Sequence, residues 1–94
     1  MMSAEEVIGR IAEICRKYSA SQVILFGSRA KGTQTERSDI DIAVSGVYDF
    51  DLLAEEIESI PTLYTIDLIE LENCRNQLLL EDIRQYGRKI YEKV

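Results

Sequence analysis

Two short motifs in this chain stand at a spacing that can do chemistry. Gly27 and Ser28 are followed, after ten intervening residues, by Asp39-Ile40-Asp41. Carboxylates at i and i+2 of a β-strand project from one face, with Cα atoms roughly 6.6 Å apart. Their oxygens can then converge on one or two divalent cations. A turn of small residues one strand away can hold a phosphate against those cations. Together the two motifs point to transfer of a nucleotidyl group.

The elements that must position these residues are legible from periodicity. Val23-Ile24-Leu25-Phe26 is a continuous apolar run, so a strand over 22–26, buried on both faces and central, is expected to lead into Gly27. Residues 28–32 are expected to form a short helical turn and 33–38 a loop. In the second strand, over 39–45, Ile40, Ile42 and Val44 alternate with the aspartates, and Gly46 ends it. A third strand over 63–70 repeats the pattern, with Ile66 and Leu68 flanking Asp67 as Ile40 and Ile42 flank Asp41. In both strands an aspartate therefore points away from the face that packs on helices.

Three helices are expected around these strands. Val7, Ile11, Ile14 and Tyr18 fall at i, i+4, i+7 and i+11, which predicts a helix over 3–18. Ser3 and Glu6 would form its capping box. Asp49 or Asp51 can cap the next helix, which runs to Ile60 with Leu52, Leu53 and Ile57 inward, before Pro61 stops it. A last helix over 74–86 puts Leu79, Ile83 and Tyr86 on one side and ends at Gly87, a residue suited to a left-handed C-terminal cap. Residues 88–92 can add an edge strand rimmed by Arg88, Lys89 and Lys93. The order αβ(α)βαβα(β) predicts one α/β (α+β) domain over 1–94. It has a small mixed sheet of three or four strands, helices on one face, and the carboxylates on the face left partly open.

Bulk properties narrow the partners. The 94 residues carry a formal charge of −6, which argues against direct nucleic-acid binding, because no basic stripe is available to neutralise a run of phosphates. Arg29, Lys31 and Arg37 against Glu36 nevertheless leave a local positive surplus of two in 27–38. A cationic loop in an acidic protein suits a small polyphosphate. The chain has no histidine, so Ser-His-Asp catalysis and histidine metal ligands are excluded. Its two cysteines, Cys15 and Cys74, form no CxxC pair and read as free thiols. No apolar stretch approaches a membrane span, and the acidic start Met1-Met2-Ser3-Ala4-Glu5-Glu6 has no leader-like apolar core, so a cytoplasmic protein is expected.

Attack on a nucleotide α-phosphate places charge on the transferring oxygens and on the departing pyrophosphate, which two divalent cations can stabilise. Hard cations such as Mg²⁺ prefer carboxylate oxygens and leave sites for water and phosphate. Asp39 and Asp41 are the expected ligands of the cation that escorts the triphosphate, and they share the catalytic one with Asp67. Gly27 admits the phosphate tail to the backbone, and Ser28 offers a hydroxyl and an N–H at a helical start. Arg29 and Lys31 are candidates for the β- and γ-phosphates, or else solvated loop charges. Glu70 and Glu72 compete with Asp67 for the third position, and the phase of the strand favours Asp67.

The segment Leu25-Phe26-Gly27-Ser28-Arg29-Ala30-Lys31-Gly32, with Ser38-Asp39-Ile40-Asp41-Ile42-Ala43-Val44, resembles the minimal nucleotidyltransferases of the polymerase-beta superfamily, whose signature is GS, ten residues, then DxD. The likeness extends loosely through Asp67 to Gly87-Arg88-Lys89-Ile90-Tyr91. It implies a nucleotidyltransferase fold, Mg²⁺ at Asp39, Asp41 and Asp67, and phosphate at Gly27 and Ser28. It also implies ATP as donor of AMP, and a HEPN-type RNase toxin as the partner whose tyrosine receives it, which makes the chain an antitoxin. Two alternatives stand beside this: an antitoxin that neutralises its partner by binding alone, and a small-molecule nucleotidyltransferase whose acceptor pocket lies at a subunit interface. Self-association stays open. The run Leu78-Leu79-Leu80 cannot face inward entirely, so part of it is a docking patch or scattered surface leucine.

Overall fold

Ser3 starts helix α1 (Ala4–Lys17) because its hydroxyl accepts from the Glu6 N–H at 3.1 Å, while the Glu6 carboxylate accepts from the Ser3 N–H at 3.3 Å. This reciprocal pairing satisfies two amides that the helix start otherwise leaves without partners. All 94 residues are described by the structure, a computed structural model. Strand β1 (Gln22–Phe26) follows, then the single helical turn α2 (Ser28–Lys31), strand β2 (Ile40–Ser45), helix α3 (Phe50–Glu58), strand β3 (Ile66–Glu70), helix α4 (Gln77–Tyr86) and strand β4 (Arg88–Glu92). The Asp49 side chain caps α3 by accepting from the Leu52 N–H at 3.1 Å.

The four strands form one mixed sheet in the order β3-β2-β1-β4. β1 is antiparallel to both β2 and β4, and β2 is parallel to β3. The continuous apolar run of β1 is thus explained: it lies inside the sheet, with helices on both faces. Val23 and Leu25 join Ile40, Ile42 and Val44 of β2 in the larger core, against Val7, Ile11 and Cys15 of α1 and Leu53 and Ile57 of α3. Ile24, Phe26 and Ala43 face the other way and meet Ile83 and Leu79 of α4. α4 therefore lies on the carboxylate-bearing face, where the sequence reading placed no helix, over β1 and Ala43 of β2, and the starts of β2 and β3 on that face are open.

Local differences from the sequence reading have local causes. β3 begins at Ile66, three residues later than expected, because Thr62 Oγ1 accepts from the Tyr64 N–H at 3.1 Å and bends the chain. α4 begins at Gln77, where the Asn76 side chain accepts from the Leu79 N–H at 3.1 Å; residues 71–73 form a 3₁₀ turn instead. Leu52 is exposed, and α3 meets the core through the buried Leu53 and Ile57 with Phe50 packed beside them. Tyr86 is likewise half-exposed rather than inward. Gly87 is no left-handed cap, since its φ is −63°. It is needed for space: a Cβ there would press on the Ile83 carbonyl and the Ile24 side chain.

The packing against β2 has a measurable weight. Ile42 is fully buried at the centre of the larger core. Ile42→Ala is expected to cost about 3 kcal/mol, within the ~2–5 kcal/mol range for such truncations. A urea melt monitored by circular dichroism reads this as a lower midpoint at unchanged slope.

Candidate active site

The central pair of the site is fixed by strand register. In the parallel β2–β3 ladder Asp41 is aligned with Asp67, and in the antiparallel β1–β2 ladder it faces Phe26, the residue before Gly27. Alternation does the rest: Ile40 and Ile42 enter the larger core, so Asp41 projects from the opposite face, and Asp67 follows between Ile66 and Leu68. Asp39 lies one residue before β2, exposed at its entrance.

Gly27 brings the phosphate-type turn against these carboxylates. Its backbone, at φ 73° and ψ −156°, lies in a region open essentially to glycine alone. A side chain is excluded a second time, because a Cβ there would collide with Oδ2 of Asp41. The Gly27 carbonyl accepts from the Ala30 and Lys31 N–H groups at 3.1 Å each, closing α2 and leaving Ser28 at its first position. The glycine, the serine and two aspartates thus meet at the ends of three adjacent strands.

The carboxylates repel one another. Burial raises the pKa of the Asp41 carboxyl above the ordinary aspartate range, and the negative charges of Asp67 and Asp39 raise it further. No lysine or arginine relieves this, since the ion pairs of the protein are Lys17–Glu56, Lys31–Asp82 and Lys89–Glu92. The three aspartates do not form a closed cage, and no three acidic or sulfur side chains stand in metal-holding geometry. Mg²⁺ does not require one: it is usually held by one or two carboxylates together with waters and substrate phosphates. An all-oxygen set of mutually repelling carboxylates beside a phosphate-sized turn fits that ion.

The two cations expected near phosphate are engaged elsewhere. The Arg29 guanidinium donates to the Ser38 carbonyl from Nε at 3.2 Å and from Nη2 at 2.9 Å, and its Cζ lies 5.1 Å from the Tyr64 ring centroid. It clamps the loop that delivers Asp39. Lys31 pairs with Asp82 of α4 at 2.9 Å and sits 5.1 Å from the Tyr86 ring centroid. The Lys31 pKa is raised, first by its bond to Asp82. Sequence reading did not identify Ser38, Tyr64, Asp82 or Tyr86 as partners of the site. Only Ser38, adjacent to Asp39, carried any local signal; the others are brought in by tertiary packing.

A mixed sheet with Gly-Ser after its central strand and paired aspartates on the next two defines a nucleotidyltransferase. Residues 9–94 match the family model described as polymerase beta, nucleotidyltransferase, and the chain belongs to that family. Two Methanocaldococcus jannaschii proteins that bear the name "putative protein adenylyltransferase" are similar to it. One is 32% identical over 77 residues, covering 74% of this chain and 77% of the relative; the other is 33% identical over 88 residues, covering 86% and 88%. Among solved structures, a toxin–antitoxin with AMP-PNP superimposes with a TM-score of 0.72 at 27% identity, covering 90% of this chain and 73% of the other. A mutant of the toxin–antitoxin MntA-HpeT does so with a TM-score of 0.70 at 25% identity and the same coverage.

Two outcomes follow from this geometry. Gly27→Ala is expected to cost about 1–3 kcal/mol through backbone strain and displacement of Asp41, read by thermal melting. The Asp41 carboxyl, with its folded-state pKa raised, favours the fold while protonated, and this contribution is lost as pH rises through that raised value. Asp41→Asn should therefore raise the Tm of metal-free protein at neutral pH. The gain should vanish below the ordinary carboxylate range, and a gain independent of pH would contradict the account.

Proposed function

We propose that this protein transfers AMP from ATP to a tyrosine hydroxyl of a HEPN-type toxin and so acts as the antitoxin of the pair. The single observation that carries the reading is the alignment of Asp41 with Asp67 beside Gly27. The names of the M. jannaschii relatives support a protein as acceptor. The toxin–antitoxin neighbours support a toxin as partner, and the AMP-PNP in one of them supports an adenine nucleotide as donor.

In this reading the acceptor oxygen attacks the α-phosphorus. A new P–O bond forms, the bond to the bridging oxygen breaks, and pyrophosphate leaves. Asp67, exposed at the open side of the sheet, takes the hydroxyl proton. Gly27 lets the triphosphate reach the main chain, and Ser28 donates to it from its hydroxyl. Asp39 and Asp41 would hold the escorting Mg²⁺ and would share a second ion with Asp67, and the two ions would supply charge stabilisation to the α-phosphate and the leaving group. Arg29 acts through the Ser38 carbonyl and keeps Asp39 in place, rather than contacting phosphate. Lys31 reaches phosphate only by leaving Asp82.

Both thiols are free, and no helix is long and apolar enough to cross a membrane. Burial pushes the Cys15 thiol up to about 12, so it is inert packing rather than a nucleophile.

Incubation with ATP, Mg²⁺ and the partner encoded beside this chain should add an AMP-sized mass to a partner tyrosine. Asp39→Asn or Asp41→Asn should reduce the rate by roughly two orders of magnitude or more, because each removes charge stabilisation worth several kcal/mol. If the variants stay folded and still protect cells as the wild type does, neutralisation works by binding alone. Label on a small molecule, with none on protein, would reassign the acceptor class.

A further inference from the structure

β3 ends the sheet, with β2 as its only neighbour. The Ile40 N–H donates to the Thr65 carbonyl at 2.9 Å. In a parallel ladder alternate residues address the partner strand, so Thr65, Asp67 and Ile69 turn their main-chain groups toward β2. Ile66, Leu68 and Glu70 turn theirs outward, and no turn, loop or cap hydrogen bond uses them. Natural edges are usually closed by proline, lysine or a bulge. Ile66-Asp67-Leu68-Ile69-Glu70 contains neither residue, and its register with β2 is unbroken. The opposite edge, β4, carries Arg88 and Lys89 and pairs with β1 through a bulge.

Beside the β3 edge runs a groove of about 540 Å³, between Ala54, Ile57 and Glu58 of α3 and Ile66, Asp67 and Leu68 of the strand. The charged residues that line it, Glu58 and Asp67, are both acidic, and Arg29, which lies over the lining Tyr64, is bonded to the Ser38 carbonyl. From Ser38 to Cys74 the chain holds ten acidic residues and not one lysine or arginine, while the rest holds eleven basic residues against seven acidic. Of those ten, only Glu56 is in an ion pair, with Lys17. Glu55 and Glu58 are exposed on α3.

We propose that this edge and groove dock an extended, lysine- or arginine-rich segment of the acceptor protein, which adds to β3 as a fifth strand and sets a hydroxyl side chain beside Asp67. The inference rests on the transferase reading above. Ile66 and Leu68 pack toward the α3 side, and Asp67 and Ile69 project from the other face. An added strand alternates in the same way, at a spacing of about 4.8 Å. Its basic side chains then lie over Glu58 at the groove, with Glu55 exposed three residues earlier on α3, and the intervening hydroxyl faces the carboxylates. Main-chain hydrogen bonds supply affinity without demanding a sequence, and charge selects the partner. In the transfer step the hydroxyl oxygen bonds to the α-phosphorus of the nucleoside triphosphate, the bond to pyrophosphate breaks, and the proton passes to Asp67.

The test uses the full chain and fluorescence anisotropy with labelled peptides of about ten residues, the length of a long strand. One alternates lysine around a single tyrosine, a second has glutamate for lysine, and a third is the lysine peptide N-methylated at alternate amides. Only the first should bind, and more weakly as salt rises. Glu55→Lys with Glu58→Lys, in a chain whose circular dichroism is unchanged, should weaken it about tenfold or more. Equal binding of the acidic or N-methylated peptide, or indifference to the double variant, overturns the docking surface. So does sedimentation showing a wild-type oligomer that the double variant dissolves, because the edge then belongs to a second copy. AMP incorporation is read separately: docking without transfer counts against the transferase reading alone, and transfer unaffected by either change counts against the docking alone.

Discussion

The alternation of β2 is the constraint on which the site depends. Ile40, Ile42 and Val44 are each fully buried in the larger core. A one-residue slip would put all three on the other face and drive Asp41 into the core, so the register is held by several buried side chains at once. The parallel partner β3 inherits the same phase, with Ile66 and Leu68 against that core. Two carboxylates that repel each other are thus held side by side by apolar burial on the far side of the sheet. The repulsion is local; the packing that enforces it is distributed.

The two faces of the sheet are unequal, and the inequality makes the opening. Thirteen buried residues form the cluster under α1 and α3, whereas four form the cluster under α4. α4 covers β1 and Ala43 of β2: Gly87 lets its end close onto Ile24, while Lys31–Asp82 ties its middle to the turn after β1. The starts of β2 and β3 on that face, before Ala43 and Ile69, are left for the aspartates. A second long helix there would stabilise the chain and cover its chemistry.

Most of this architecture was legible in the sequence because it rests on periodicity. The buried run of β1, the isoleucine-aspartate alternation of β2 and β3, and the Ser3–Glu6 box each state their structure within a few residues. The boundaries of β3 and α4 were less legible, because side-chain turns at Thr62 and Asn76 decide them and similar residues stand nearby. Leu52 and Tyr86 misled for a related reason: a helical stripe gives a direction but not the width of the surface that meets it. Within the site, strand phase located Asp67. The partners of Arg29 and Lys31 were not legible, because Tyr64, Asp82 and Tyr86 lie far away in sequence.

Those partners change how charge is balanced at the turn. The six small or positively charged residues Gly27-Ser28-Arg29-Ala30-Lys31-Gly32 after β1 read naturally as a phosphate cradle, yet Arg29 faces the Ser38 carbonyl and Lys31 faces Asp82. A triphosphate entering here meets carboxylates from β2 and β3 and no uncommitted cation of the turn itself. In the proposed reaction its charge would be met by backbone and hydroxyl donors at Gly27 and Ser28 and by divalent ions shared with the aspartates, a division that Mg²⁺ chemistry favours. Lys31 could join only by giving up Asp82, loosening α4 from the turn as it did so.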